Sequence, residues 1–506
     1  MKRLIPILAV VVFFLVSSSD SPDLFQVYNF NYENVLGTSF ALKLAASSRE
    51  DAIKAEKAVL NEIDRLAGLL STYDPESEFS QWKKTYNIDV PLSPELFEVL
   101  SLFDQWRSKT GGALNPAAAV AIELWSKAAR ENNLPEKEDI TEAVTAMRKD
   151  HWILDYEKQT ARHISTEPLV LNTFVKSYII NKASEVVLDM PGVKSSVINI
   201  GGDMVASGEM EETVYIVDPL TPTENDHPFS TIRVDNKAIA TSGNYRRGFM
   251  IENEWYSHII DARTAMPAGE IISATVVADN AAQAGALATA FNILSPEESI
   301  RLASQMPDVD YLILTRTGQR IESEGWDKLE IQSLTNVASD PGKGEKKVIE
   351  SETEFELLID IELARFEGRY LRPYVAVWVE DEKGEPIRTL ALWFNNYRWL
   401  PDLRRWYAKN YTKTQNNEFM QSVTSATRPA GKYSFRWDGK DDQGNSRKSG
   451  KYVVYIEVVR EHGTYQLIKQ QVDLTDISQR FELPPGTEVS SAVIEYRKVE
   501  KMNASL

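Results

Sequence analysis

The stretch KSSVINI, residues 194–200, predicts a β-strand, and Gly201-Gly202-Asp203 follows it directly. A glycine pair ends a strand and lets the main chain pass close to another group, because neither residue carries a Cβ. Another strand-like run at 273–278 precedes a helix of small residues at 281–294. Ser295-Pro296-Glu297-Glu298 then has the pattern of a capping box, which starts a further helix. This alternation predicts an α+β domain in which glycine turns lie where strands end.

The same alternation of helices and strands extends on both sides of that stretch. Apolar residues at 52–70 recur at helical spacing. Ser93-Pro94 has the pattern of a helix start, and Gly111-Gly112 ends that segment. We therefore assign residues 25–336 to one α+β domain with mixed helix and sheet.

The remainder of the chain has a different texture. Residues 337–348 are polar and rich in glycine and lysine, which predicts a linker. Short β-rich runs follow, among them YVAVWV at 374–379 and YSFRW at 433–437, and turn signals separate them. Residues 349–506 are therefore predicted to form an all-β, immunoglobulin-like sandwich.

Bulk composition fits a globular protein and argues against a nucleic-acid partner. The chain has 506 residues, of which 43% are hydrophobic and 26% charged. That balance supports sizeable cores, and the length allows more than one domain. The formal net charge is −18, so no global cationic field attracts nucleic acid.

The N-terminus has the pattern of a secretory signal peptide, which we assign to residues 1–19. A positive start, Met1-Lys2-Arg3, precedes the apolar run 4–16 and three serines. The run is shorter than the roughly 20 residues that span a bilayer, which disfavours the alternative of an uncleaved anchor. The chain has no cysteine, and this excludes a lipoprotein anchor. We expect an exported, soluble periplasmic protein with no transmembrane segment after signal cleavage.

The glycine turn and nearby charged side chains suit a ligand that carries phosphate. Gly201-Gly202 would let the main chain approach an anion closely. His258 and Asp261 are titratable groups three residues apart, and together they could orient or deprotonate a hydroxyl. Arg263 could pair with phosphate oxygens. Two alternatives stay open, since His258 could be a structural histidine and Asp203 a cap of the turn.

Five segments of this domain, taken in chain order, match the pattern of one protein family. They are LSTYDPESE at 70–78, GALNP at 112–116, NIGGD at 199–203, TSGNYRR at 241–247 and YSHIIDART at 256–264. Together they resemble the ApbE family of FAD:protein FMN transferases. One such segment alone is a weak signal, whereas five in the family's order are specific.

The resemblance implies an enzyme that transfers FMN from FAD to a Ser or Thr hydroxyl of another protein and releases AMP. In that context we assign His258 and Asp261 as catalytic residues. The positions implied to bind FAD are Tyr73, Lys176, Gly201, Gly202, Asp203, Ser242 and Arg263. Other interpretations stay open, since Tyr73 could be a core aromatic and Arg246 and Arg247 could be surface charges.

Two segments depart from the family's pattern. LVLNTFVKSY at 169–178 stands where the family has L-D-L-G-G-I-A-K-G-Y. Lys176 is kept there, while the acidic residue and all three glycines are lost. AGALAT at 284–289 stands where the family has A-D-A-x-A-T, whose Asp and Thr bind a metal ion. These departures concern the part of the site that handles the metal.

The metal position is incomplete in this chain. Positions 285 and 289 are four apart and share a helix face. Thr289 is present and the backbone carbonyl of Val175 could contribute, but Gly285 stands at the missing carboxylate. Mg²⁺ prefers one or two carboxylates, so we expect weakened Mg²⁺ binding unless Asp203 or Asp261 takes over as ligand. Two hypotheses follow, an active transferase or a catalytically degenerate FAD-binding or docking protein.

The β-rich module has resemblances of its own. TSATRPAGKY at 424–433 and WDGKD at 437–441 resemble an uncharacterised periplasmic domain. The second stretch is also similar to the immunoglobulin-like part of flagellar hook-cap (FlgD) proteins, in which we interpret it as a structural turn.

SVTSAT at 422–427 is similar to known flavinylation sites, although their acidic residue and glycines are replaced. Thr427 would be the FMN acceptor by position, and the alternative is an ordinary sandwich loop. Covalent FMN at Thr427 would make the chain its own target, or an electron carrier loaded by another enzyme. The expected partners are periplasmic acceptor proteins, with its own C-terminal domain as a candidate.

Overall fold

The computed structural model describes residues 25–331 and 355–498, apart from 221–222, 225–227, 246, 369, 395–396, 416–419, 421–423, 426, 449, 461–462 and 476. The predicted signal peptide at 1–19 and the predicted linker at 337–348 lie outside these residues. None of the helices in the described part of the chain combines the length and the apolar composition needed to cross a bilayer.

The first domain contains strands and helices in alternation. Its strands are β1 Gln26–Val35, β2 Thr38–Ala46, β3 Asp89–Pro91, β4 Trp152–Asp155, β5 Thr160–His163, β6 Val193–Ile200, β7 Asp203–Gly208, β8 Glu212–Ile216, β9 Ser230–Val234, β10 Ala238–Gly243, β11 Gly248–Ile251, β12 Glu254–Ser257, β13 Ile260–Asp261, β14 Met266–Pro267, β15 Ile271–Ala278, β16 Asp310–Thr315 and β17 Arg320–Glu322. Its helices are α1 Arg49–Leu70, α2 Glu78–Lys83, α3 Pro94–Lys109, α4 Ala119–Glu131, α5 Lys137–Arg148, α6 Val175–Leu188, α7 Ala281–Ile293, α8 Pro296–Ala303 and α9 Trp326–Leu329.

An eight-stranded antiparallel sheet organises this domain, with the order β1-β2-β6-β7-β10-β15-β16-β17. Helix α7 packs on β10 and β15, and α6 packs between α1 and α7. The buried side chains of these elements form one large apolar core, in which Ile63, Ile180 and Leu287 are fully buried. The architecture confirms the predicted α+β class.

Local signals in the sequence explain where two of these helices begin. Ser48 caps α1 by accepting a hydrogen bond from the backbone of Asp51. At α8 both hydrogen bonds between Ser295 and Glu298 are present, which confirms the predicted capping box. Helix α7 is buried nearly all round. Its run of small residues allows it to pack closely between the sheet and α6.

The second domain is a two-sheet β-structure, as predicted. Its strands are β18 Phe355–Leu363, β19 Tyr374–Asp381, β20 Pro386–Trp393, β21 Thr424–Ser425, β22 Gly431–Trp437, β23 Lys451–Val459, β24 Tyr465–Asp473, β25 Gln479–Leu483 and β26 Val489–Lys498. The sheets have the orders β22-β18-β26-β25 and β21-β20-β19-β23-β24. A buried aromatic and aliphatic core lies between them, with Trp393, Phe435 and Trp437 among its members. Helix α10, Arg404–Asn410, buries Trp406 in a smaller cluster with Trp378.

The two domains meet at the β1–β2 hairpin. Glu33 on β1 forms an antiparallel bridge with Tyr370 of the second domain. The Asn34 side chain donates to the carbonyls of Phe366 and Gly368 at 2.6 and 2.7 Å. The hairpin therefore links the central sheet of the first domain directly to the segment that leads into β19.

Candidate functional site

The predicted glycine turn connects β6 to β7 and is tight. Gly201 and Gly202 have φ values of +64° and +108°, in the region that favours glycine. Their N–H groups donate to the carbonyl of Ser39 and to Oδ1 of Asn199. A Cβ at Gly202 would meet nothing within 4 Å. The turn therefore offers open space for a ligand, while its own two N–H groups are engaged within the protein.

Asp203 and Lys176 lie beside this turn and influence each other. Ser177 donates from Oγ to Oδ2 of Asp203 at 2.6 Å. Burial raises the pKa of Asp203 to about 6, against the opposing effects of Ser177 and of the Lys176 charge. Burial lowers the pKa of Lys176, and the nearby charge of Arg247 lowers it further. The charges of two predicted FAD-binding side chains thus act on each other and on Arg247, for which the sequence left a surface charge open.

The contact between α6 and α7 explains why residue 285 is glycine. A Cβ built on Gly285 would lie 2.3 Å from Oγ and 3.0 Å from Cβ of Ser177, and 3.5 Å from Cβ of Phe174. Glycine inside a helix costs about 1 kcal/mol relative to alanine, but here a Cβ would overlap the Ser177 side chain in its present position. Close packing therefore accounts for Gly285.

The donors of the implied metal site do not fit Mg²⁺. Thr289 donates its hydroxyl to the carbonyl of Gly285 at 3.0 Å, within its own helix. Val175 is the buried first residue of α6. Among the described residues, no group of three or more His, Cys, Asp or Glu side chains could hold a metal ion. Since Mg²⁺ prefers carboxylate ligands, the α7 face lacks what this ion requires.

His258 has a geometry suited to accepting a proton. Its Nδ1 lies 3.0 Å from the carbonyl oxygen of Arg247. A carbonyl only accepts, so Nδ1 carries the hydrogen and Nε2 keeps its lone pair. Burial lowers the pKa of His258, and the Arg247 charge acts in the same direction. The imidazole is therefore neutral at neutral pH, with Nε2 as the basic nitrogen.

Asp261 and Arg263 form a tight cluster of their own. Arg263 donates from Nε and Nη2 to the Asp261 carboxylate, at 2.8–3.1 Å. It also donates from Nη1 to Glu298 of α8 at 2.7 Å. These bonds fasten the YSHIIDART segment to the first turn of α8. A catalytic role for Asp261 and a phosphate contact for Arg263 remain predictions, and each would compete with these ion pairs.

Tyr73 and Ser242 occupy different environments. The Tyr73 residue is 81% exposed, and Asn172 donates to its hydroxyl at 2.7 Å. That exposure excludes a core role and leaves the ring face available for stacking. The backbone carbonyl of Ser242 accepts a hydrogen bond from Asn292 of α7.

Thr427 is buried in the second domain, with 1% of its surface exposed. Its carbonyl accepts a hydrogen bond from Arg372. An FMN acceptor must present its hydroxyl to another site, so this burial argues against the predicted acceptor role. Its neighbours 421–423 and 426 lie outside the described residues.

A cleft of about 630 Å³ borders Arg263. It is lined by Asp104, Arg107, Ser108, Gly111, Gly112, Asn115, Arg148, Asp150, Ala262 and Arg263. Lys176, Asp203 and His258 are not among these residues. Two of its three lining arginines are paired with acids, Arg107 with Asp150 and Arg263 with Asp261 and Glu298. We do not place the reaction there.

Sequence reasoning missed the importance of Ser177 and Arg247. The sequence did contain a signal for Ser177. This serine replaces the glycine of the family's K-G-Y segment, and Gly285 replaces the family's Asp in the same chain. Only the packing of α6 on α7 relates the two positions. Arg247 ends the matched segment TSGNYRR, but the sequence alone left open that it is a surface charge.

Comparison with known proteins supports a two-part chain. A family model described as the ApbE family matches residues 36–313, and one described as "Predicted periplasmic protein (DUF2271)" matches residues 356–491. The FAD:protein FMN transferase of Haemophilus influenzae is 25% identical over 297 residues, which are 55% of this chain and 84% of that protein. The enzyme of the same name from Treponema pallidum is 27% identical over 244 residues, 44% and 67% of the two chains.

Solved structures show the same fold in the first domain. The ApbE protein of Thermotoga maritima superposes with a TM-score of 0.54 at 23% identity, covering 61% of this chain and all of that chain. The flavinyl transferase ApbE of Pseudomonas stutzeri gives a TM-score of 0.51 at 20% identity, with 60% and 97% covered. At these identities the likeness concerns the fold.

Proposed function

The chain belongs to the ApbE family, and we propose that it transfers FMN from FAD to a Ser or Thr hydroxyl of a target protein with release of AMP. One observation supports this proposal most, the connected set of Lys176, Asp203, Arg247 and His258. Lys176 interacts with Asp203 and Arg247, and His258 is held by the Arg247 carbonyl. In this proposal the base and the two cations face the open glycine turn that precedes Asp203.

The reaction assigns a role to three of these groups, His258, Lys176 and Arg247. The acceptor hydroxyl oxygen attacks the phosphorus of the FMN half of FAD, forming a new P–O bond. The bond from that phosphorus to the bridging oxygen breaks, and AMP leaves with the oxygen. The hydroxyl proton passes to Nε2 of His258. Lys176 and Arg247 lie where they can stabilise the negative charge on the phosphoryl oxygens.

FAD is the substrate in this scheme, and two features of the site suit it. A Cβ at Gly202 would meet nothing within 4 Å, so a ligand can approach the main chain there, and the exposed ring of Tyr73 offers a stacking surface. Mg²⁺ enters no step, because the donor set on α7 does not fit it.

A second function is favoured by Gly285 itself. The domain could bind FAD without transferring FMN and serve as a docking protein, since the residue type expected to ligate the metal is absent. The third hypothesis, an electron carrier with FMN at Thr427, is disfavoured by the burial of that residue. For location we propose the periplasm, where acceptor proteins would be the partners, because the second domain matches a family described as periplasmic.

The test uses the purified mature chain from a host without other flavin transferases. It is incubated with FAD, with and without a known acceptor domain, then denatured and examined for flavin fluorescence and the FMN mass increase. We expect a labelled acceptor with wild type and with Lys182→Ala, and a strong loss with Lys176→Ala. Lys182 lies on the same helix, paired with Glu98, and so controls for general effects. An unlabelled acceptor together with intact FAD binding would contradict the transferase and favour the docking protein.

A further inference from the structure

Residues 177 and 285 are complementary in volume. Ser177 on α6 is fully buried, and its side chain fills the space that a Cβ on Gly285 of α7 would need. Ser177 and Gly285 therefore face each other and allow α6 and α7 to pack closely at this point. The opposite pair, glycine at 177 and a larger residue at 285, would fill the same space from the other helix.

Ser177 also engages the carboxylate of Asp203. Its Oγ donates to Oδ2 of Asp203 at 2.6 Å, and the same oxygen would be 2.3 Å from a Cβ at 285. Thr289, one turn further along α7, donates its hydroxyl back to the Gly285 carbonyl. Two hydrogen bonds therefore engage the oxygen atoms at this contact, one from Ser177 to Asp203 and one from Thr289 to Gly285. The neutral hydroxyl of Ser177 occupies the position at which a cation would need a second carboxylate.

We propose that Ser177 and Gly285 act as a matched pair that closes the divalent-cation position between α6 and α7, so that Lys176 and Arg247 supply the positive charge facing the nucleotide phosphates. The closure of the cation position by Ser177 and Gly285 concerns packing and is independent of the proposed function. The role of Lys176 and Arg247 rests on the proposed function. The pair explains why a glycine lies inside helix α7. It also explains why this chain lacks both the family's Asp at position 285 and the family's glycine at position 177.

Lys176 and Arg247 have the placement that this role requires. Lys176 is the second residue of α6 and directly precedes Ser177, and the charges of Asp203 and Arg247 both act on it. Two like charges repel each other, and an anion bound between them offsets that repulsion. Arg247 is exposed at the site surface, and its carbonyl holds His258. A phosphate between the two cations would therefore lie close to the proposed base.

Metal binding tests the pair without any need for catalysis. Mn²⁺ is titrated into the full mature chain, free of FAD, and bound ion is followed by electron paramagnetic resonance. The variants are Gly285→Asp, Ser177→Gly and the double variant Ser177→Gly/Gly285→Asp. We expect the double variant to bind one Mn²⁺ at least about tenfold more tightly than wild type, because it places a second carboxylate beside Asp203. Neither single variant is expected to reproduce this gain.

The overturning results are specific. Wild type binding one Mn²⁺ as tightly as the double variant would overturn the proposal, as would a folded double variant that gains nothing. Gly285→Asp alone matching the double variant would show that Ser177 does not close the position. A thermal melt of each variant establishes that it is folded.

A second measurement on wild type needs no variant. FAD affinity is compared in excess Mg²⁺ and in excess chelator, and we expect a change below about twofold, because the paired cations do not depend on the ion. A loss of about tenfold or more in chelator would overturn the proposal. Failure of FMN transfer in the gel assay, with these binding results intact, would instead count against the proposed function alone.

Discussion

The guanidinium of Arg372, in the second domain, lies 2.7 Å from the carboxylate of Glu33, on β1 of the first domain, and both side chains are buried. Arg372 also donates to the carbonyls of Phe40 and Thr427. Phe40 pairs with Ile200, the residue before the glycine turn. Burial raises the pKa of Glu33 and lowers the pKa of Arg372, so desolvation opposes the pair in both residues. The domain junction is thus built directly beside the candidate site.

Removing Arg372 should be costly. Arg372→Ala leaves the Glu33 carboxylate buried without its partner, which we expect to reduce the stability of the full chain by about 3–5 kcal/mol. The double variant Glu33→Gln/Arg372→Met should cost less, since it buries no charge. Urea unfolding of the full chain measures both. Arg480→Ala is the control, because its pair with Glu495 is exposed, and a cost equal to that of Arg372→Ala would contradict the prediction.

His151 should make stability depend on pH. It is buried, and burial lowers its pKa to about 4 from the ordinary 6.5. Between these values the unfolded chain takes up a proton that the folded chain does not, so the free energy of unfolding falls as the pH drops through this window. The loss approaches about 3 kcal/mol at its lower end.

His151→Gln tests this contribution, because glutamine can still bond to Ser165 but does not titrate. Urea unfolding of wild type and variant is compared across the window and above it. The difference in stability between the two chains should be constant above the window and shrink within it. A difference that stays constant throughout would exclude His151 as the cause.

Tyr73 should contribute to FAD affinity and little to stability. Its ring is exposed, so Tyr73→Ala removes a stacking surface and should weaken FAD binding about tenfold, on the order of 1 kcal/mol. Tyr73→Phe keeps the ring and should bind nearly as wild type. Fluorescence titration of FAD measures the affinities. Tyr215→Ala, at a residue that is 67% exposed on β8, is the matched control and should leave the affinity unchanged.

His258 should set the acid limb of the transfer rate. Its lowered pKa keeps Nε2 unprotonated at pH values just below the ordinary 6.5, so the single-turnover rate should persist there and fall only at lower pH. His258→Ala should reduce the rate by about 10²–10⁴-fold and abolish this limb. Arg247→Ala removes a charge that lowers the His258 pKa, so at saturating FAD the limb should move to higher pH. If the acid limb of the rate profile is unchanged in both variants, the general base is a residue other than His258.

Thr427 should stay unmodified in the folded chain, because it is buried. Peptide mapping after incubation with FAD should find no FMN on the peptide that contains it, and Thr427→Ala should leave acceptor labelling unchanged. Arg372→Ala, which releases the Thr427 carbonyl, shows whether loosening the segment exposes the residue. FMN on this peptide in wild type, absent in Thr427→Ala, would restore the acceptor hypothesis.

Much of the fold was predictable from the sequence because its signals are local. The strand before Gly201-Gly202, the helix after Asn280 and the capping box at Ser295 each depend on neighbouring residues along the chain. The order of strands in the sheet and the docking of the second domain on β1 were not predictable. They depend on pairing between segments that are far apart in the sequence, such as Glu33 with Arg372. The residues around each position contain no signal that identifies its distant partner.

The sequence by itself determined which residue types are available for chemistry, Lys176, Asp203 and His258 among them, and showed that position 285 lacks a carboxylate. Only the tertiary structure decided what that absence means. Ser177 and Gly285 are 108 positions apart in the chain, yet their helices touch, and side-chain volume is conserved across a close-packed contact rather than along a sequence. The same holds for Thr427, whose motif suggested an acceptor and whose burial depends on the surrounding sandwich.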